Sequence, residues 1–195
     1  MSLFKKKYTV EAAMEIRNNA KAATEDLIQK KNLEAFIEQS PRLEQLKNIY
    51  IHRQAIFQVA KELEINTSPF QNHDVDKYWL MLWMTEKDAN LCHELTSEHH
   101  QYLDAQFLAE PILLEMMLDW ESARFSRPDI NRNAYDLMLG GMPDEVMPPM
   151  EALMPRYDLY HGTIERGINK KQYAKMIAAI TPEILAKDIC ESMSL

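Results

Sequence analysis

The sequence predicts an all-α fold, an irregular bundle of about seven to eight helices packed around one buried central helix. Three observations carry this reading. Tyr78-Trp79-Leu80-Met81-Leu82-Trp83-Met84 is an unbroken apolar run holding two of the chain's 3 tryptophans. A segment without a polar face must be covered on all sides. Its leucines and methionines favour helix, and no β-branched residue follows Val75 within it. Finally, the chain has only 4 glycines, whereas a sheet protein needs many tight turns with positive φ.

The helices can be placed in order from caps and periodicity. Thr9 caps a helix running to about Lys31, with Ala13, Ile16, Ala20, Ala23 and Leu27 on one stripe. Asn32 caps a short turn through Phe36 and Ile37. Ser40-Pro41 then signals a second long helix to about Glu64, whose apolar face is Leu46, Ile49, Tyr50, Ile56, Phe57, Ala60 and Leu63. Arg53 falls within that face, where a buried guanidinium would need a carboxylate; the expectation is that it snorkels to the rim.

Asn66-Thr67-Ser68-Pro69 breaks the pattern, and Asp74 or Asp76 can cap the central helix. Thr85-Glu86-Lys87-Asp88 restarts a helix at a bend, on which Cys92, Leu95, His99, Tyr102 and Gln106 form one stripe. Glu110-Pro111 opens the next helix, carrying Leu113, Met116, Met117, Trp120 and Phe125. A shorter one from Asp129 or Ile130 stops at Gly140-Gly141. After an irregular Met142–Pro155 stretch, brief helices are expected over Pro155–Gly167, from Asn169, and from Thr181-Pro182.

Hydrophobic residues at 46% and charged residues at 27% suit one folded domain spanning 1–195. A net charge of -8 repels nucleic acids and anionic membranes and suits a basic protein partner. No apolar run is long enough to span a membrane, and no apolar core follows the N-terminal lysines as in a secretory leader. Cys92 and Cys190 are far apart, in neither a disulfide framework nor a zinc knuckle. These features predict a cytoplasmic protein.

Candidate chemistry was sought at three places. Cys92, His93, Glu94, Glu98, His99 and His100 are dense in ligand types, but on one continuous helix His93 and His99 would point to different sides, so no metal site is expected there. Haem ligation by His99 or His52 has no feature that singles it out. Asp158, His161 and Glu165 share a helical face by spacing and form an alternative metal half-site or acid–base group. Arg156-Tyr157-Asp158-Leu159-Tyr160-His161 sets a histidine some residues after an arginine. This resembles the short active-site motif of HEPN-domain RNases, which are small all-α proteins. The resemblance covers six positions and implies a metal-independent RNase using Arg156 and His161, with Tyr157 departing from the polar residue usual after the arginine.

With no glycine-rich phosphate loop and no nucleophile elbow, the function expected from sequence is binding or regulation through a protein interface, without catalysis or cofactor. Its contact element would be the methionine–proline stretch, through Met142, Met147, Met150 and Met154, because methionine adapts to varied partners and proline limits the entropy lost on docking. The competing readings are the RNase and a metal-dependent helical-bundle enzyme.

Overall fold

The structure, a computed structural model, describes residues 8–100, 110–130, 132–140, 147–159 and 167–193. Among the described residues there are ten α-helices and no strand: α1 (Val10–Gln29), α2 (Leu33–Glu38), α3 (Leu43–Glu62), α4 (Val75–Trp83), α5 (Glu86–Thr96), α6 (Glu110–Ser126), α7 (Ala134–Leu139), α8 (Met147–Leu153), α9 (Lys170–Ala179) and α10 (Pro182–Met193). The all-α class stands. The count exceeds the sequence expectation because the short turn through Phe36 and Ile37 and part of the methionine–proline stretch each form a helix of six or seven residues, α2 and α8.

The caps explain several boundaries. The Thr9 hydroxyl accepts from the Ala12 amide, and Thr85 accepts from the Asp88 amide, so α1 and α5 begin where the sequence placed them. Asn133 and Asp136 form a reciprocal capping box, which starts α7 at Ala134, after the Asp129–Ile130 start expected from sequence. Gly140 ends it, though in a right-handed conformation that uses none of glycine's extra freedom.

The run in α4 is central as expected. Tyr78, Trp79, Leu80, Met81 and Leu82 are buried against α1, α3, α5 and α10, in a cluster that includes Leu46, Ile49, Cys92 and Ile189. Trp83 departs from the expectation at 42% exposure. It sits on the last turn, its ring 4.9 Å from Phe36, and donates a 3.0 Å hydrogen bond to the Thr24 hydroxyl. A second apolar cluster gathers α6, α7, α8 and the 3₁₀ turn Met154–Tyr157. Helix α3 joins the two halves by packing along α6, where Ile56, Val59 and Ala60 meet Leu118 and Phe70.

Two expectations are corrected here. Arg53 does not snorkel: it is 3% exposed, donates to the carbonyls of His73 (3.0 Å) and Gln71 (3.2 Å) and to the Ser192 hydroxyl (2.9 Å), and faces Asp188 at 3.6 Å. Those acceptors and that carboxylate are what a guanidinium needs in place of water. The stripe through His99 is also not continuous helix. Helix α5 ends at Thr96, Ser97 is extended, and Glu98–His100 forms a separate 3₁₀ turn; Tyr102 and Gln106 lie outside the described residues.

Candidate metal centre

Where α3, α4, α5 and α6 converge, the interior is not apolar. Five of the chain's 6 histidines meet there with four carboxylates. Helix α3 contributes His52. The turn before α4 contributes His73 and Asp74, and the first turn of α4 contributes Asp76 and Lys77. Helix α5 brings His93, and the break after it carries His99 and His100. Glu115, Asp119, Ser122 and Ser126 are spaced four, three and four along α6, so they line one polar stripe that faces the cluster.

Asp74 is the hub. Its Oδ1 lies 3.1 Å from His93 Nε2, 3.5 Å from His73 Nε2 and 3.8 Å from His99 Nε2. Its Oδ2 lies 3.6 Å from His52 Nε2 and 2.8 Å from Lys77 Nζ. Among the described residues no donor makes an aligned hydrogen bond to Asp74 Oδ1, and neither His73 Nε2 nor His99 Nε2 has a hydrogen-bond partner. Buried polar atoms left unpaired cost free energy, so three of them turned toward one another need an explanation. Ligand atoms about 2.1 Å from one cation, meeting near right angles, sit about 3 Å apart, the range seen here.

The tautomers point the same way. Ser122 and Ser126 donate their hydroxyl protons to the carbonyls of Asp119 and Ala123. Each can therefore accept from His52 Nδ1, which lies 3.2 Å from Ser126 Oγ. His52 Nε2 lies 2.8 Å from Asp119 Oδ1, where the ring can donate a hydrogen bond to the carboxylate or, with that proton lost, join it as a neighbouring ligand. His73 and His99 each place Nδ1 on Glu115 Oε1, at 2.8 and 3.3 Å, which frees both Nε2 atoms for the centre.

Electrostatics favour neutral imidazoles at His73 and His100 but not at His93, which burial would lower and the hydrogen bonds to Asp74 and Asp76 raise. Burial, with the nearby His99 and His93, pushes the His100 imidazole down to about 3, and burial lowers His73 against the pull of Asp74 and Glu115. Both therefore offer neutral lone pairs at neutral pH. Burial alone would raise the Glu115 carboxyl, but hydrogen bonds from His73 and His99 outweigh it and hold it at about 2. Asp74 behaves alike: burial opposes its ionisation, and His73, Lys77 and His93 carry it well below the usual carboxylate range. Among the described residues the four carboxylates face Lys77 and Arg17 as fixed cations, leaving negative charge for protonated imidazoles or metal ions to balance.

Three ligand groups are formed: His52 with His73 and Asp74, His73 with His99 and Asp119, and His93 with His99 and His100. The first and last share no residue, and Asp74 presents one oxygen toward each. The residues would therefore hold up to two ions, one at each of these groups. The centre is reachable: His52, Asp74 and Lys77 form one end of a cleft of about 420 Å³ whose walls include Asn48, Asn90, Arg127 and Tyr173.

The sites singled out from sequence lie elsewhere. Met150 and Met154 are fully buried in the second apolar cluster, and Met147 is half-buried against it. Met142 lies outside the described residues, as do His161 and Glu165. Asp158 is not on a helix; it is the left-handed residue ending the 3₁₀ turn. Arg156 is on the surface, 2.8 Å from Glu110. Sequence spacing hides the cluster because it reads 93–100 as one continuous helix, whereas the chain breaks at Ser97. Two signals were present, the adjacent pairs His73-Asp74 and His99-His100 and the polar stripe on an otherwise apolar α6. Comparison with protein-family models, curated proteins and solved structures finds no match for the chain.

Proposed function

We propose that the protein is a metal-dependent hydrolase with up to two first-row divalent ions held by His52, His73, Asp74, His93, His99, His100 and Asp119, acting on an anionic ester of the phosphate type. The observation that carries this reading is the convergence of unpaired His73 Nε2, His99 Nε2 and Asp74 Oδ1 at one buried point. Mixed imidazole and carboxylate donors suit iron, manganese, cobalt, nickel or zinc better than calcium or magnesium. Such ions, when bound, polarise a substrate oxygen and make water nucleophilic near neutral pH.

The chain's own residues supply the rest. Lys77 stands beside Asp74 at the cleft and can pair with an anionic substrate oxygen. Glu115, Ser122 and Ser126 hold His73, His99 and His52 in the ligating orientation. The walls, with Asn48, Asn90, Arg127 and Tyr173, offer hydrogen bonds and a second cation beside the carboxylates of Glu86 and Asp129, which suits a polar substrate. An adaptor role through Met147–Met154 draws less support, since Met150 and Met154 are buried.

The test is hydrolysis of p-nitrophenyl phosphate and bis(p-nitrophenyl) phosphate by protein reconstituted with manganese, iron or zinc. Turnover that disappears in chelator and in His73→Ala is the expected result. Reconstituted protein that binds its metal yet hydrolyses neither ester would contradict the substrate class, and protein that takes up no ion would contradict the whole reading.

A further inference from the structure

Resting on the metal-centre reading, we infer that Asp76 and Arg17, neither of them a ligand, form a positioning chain that sets the tautomer of His93 and fixes the segment carrying His99 and His100. Asp76 Oδ1 accepts from His93 Nδ1 at 2.9 Å, which leaves Nε2 to face Asp74 Oδ1 at 3.1 Å and His100 Nε2 at 3.1 Å. Ser97 Oγ, 3.0 Å from the same Nδ1, is the other group at that nitrogen. With Nδ1 carrying the proton, the ligating nitrogen can only be Nε2, and a carboxylate partner makes that nitrogen more basic.

Asp76 is itself held. Its Oδ2 forms an ion pair with Arg17 Nε at 3.2 Å without an aligned hydrogen bond, and Arg17 Nη1 donates at 3.5 Å to the carbonyl of Thr96, the last residue of α5. One guanidinium from α1 thus spans the carboxylate on α4 and the point where α5 stops and the chain turns into Glu98–His100. Asp76 is almost wholly buried, whereas Arg17 is part-exposed at a second cleft with Asn18, Lys21 and Asn72. A buried carboxylate with a single, solvent-reachable cation costs stability unless it has a task, and its other oxygen shows the task. The chain acts on the His93, His99 and His100 group and reaches Asp74 through the His93 ring, whereas among the described residues neither Asp76 nor Arg17 pairs with His52, His73 or Asp119.

The experiment is zinc titration of chelator-stripped protein against a competing indicator, for the parent, Asp76→Asn and Arg17→Met, with a melting curve of each metal-free protein. The parent should bind two ions. Asp76→Asn should weaken one of them by about 10- to 100-fold and leave the other unchanged. Long-range ¹H–¹⁵N spectra of the zinc-loaded parent should show His93 protonated at Nδ1, a signature lost in Asp76→Asn. If Asp76→Asn fails to fold, Arg17→Met carries the test, because its side chain is part-exposed and the same single ion should weaken by about 10-fold. Equal affinity of both ions in parent and variants overturns the positioning role while the metal reading stands. A parent that binds no zinc overturns both.

Discussion

Asp74 has φ 57° and ψ 10°, the left-handed region, immediately before α4. Aspartate tolerates this conformation better than most residues, yet a non-glycine residue held there is strained by about 1–3 kcal/mol. The position reads from sequence as a helix cap, and it is one, but its side chain makes no capping hydrogen bond. The carboxylate is turned instead to four imidazoles and Lys77. Asp74→Asn keeps the shape and the left-handed backbone while removing the charge, so it should weaken metal binding by more than about 100-fold, as measured by competition titration. Arg53 was legible in part: the sequence placed it on an apolar face and required some carboxylate partner if it were buried, without pointing to Asp188. It could not show that carbonyls of Gln71 and His73 lie within reach, because these come from a loop brought back by the fold. Arg53→Ala should cost about 3–5 kcal/mol by urea denaturation, as expected when a buried ion pair loses one partner.

At the scale of elements, caps and apolar stripes placed most long helices, because both signals are local. The α4 run was legible for the same reason. Trp79→Ala should cost about 3–5 kcal/mol in chemical denaturation, and Trp83→Ala, at 42% exposure, less than about half of that. The end of α5 was not legible. Thr96-Ser97-Glu98 contains neither proline nor glycine, and the helix stops there so that His93, His99 and His100 can face one centre, a tertiary demand absent from the local sequence. The methionine–proline stretch failed for the opposite reason. Its prolines do mark irregular chain, but α8 and the 3₁₀ turn after it still bury Met150 and Met154 in one cluster with Trp120 and Leu113. Met150→Ser should therefore destabilise by at least about 2 kcal/mol, read from melting curves.

Over the whole molecule, the centre ties together helices that belong to different apolar clusters: α4 and α5 on one side, α6 on the other, with α3 spanning both. Ions that bind only the folded protein should therefore stabilise it as a unit, by about 2.7 kcal/mol at a free concentration a hundred times Kd. The sign with pH follows from competition: imidazole ligands bind metal only when deprotonated. His93, raised by its bonds to Asp74 and Asp76, protonates first, whereas His73 is lowered and His100 stays neutral to about 3, so the gain in melting temperature should start to shrink as pH falls through neutrality. Chelator should lower the melting temperature of loaded protein and leave stripped protein unchanged. The membrane expectation is met at the level of single helices, since among the described residues none is long and apolar enough to cross a bilayer. The most direct measurement of the central claim is elemental analysis of protein stripped with chelator, reloaded with manganese, iron and zinc in turn, and freed of excess ion by gel filtration. The account predicts about two equivalents of at least one of these metals in the parent, and a large loss in Asp74→Asn. Less than about a tenth of an equivalent of every metal in folded parent protein would contradict it.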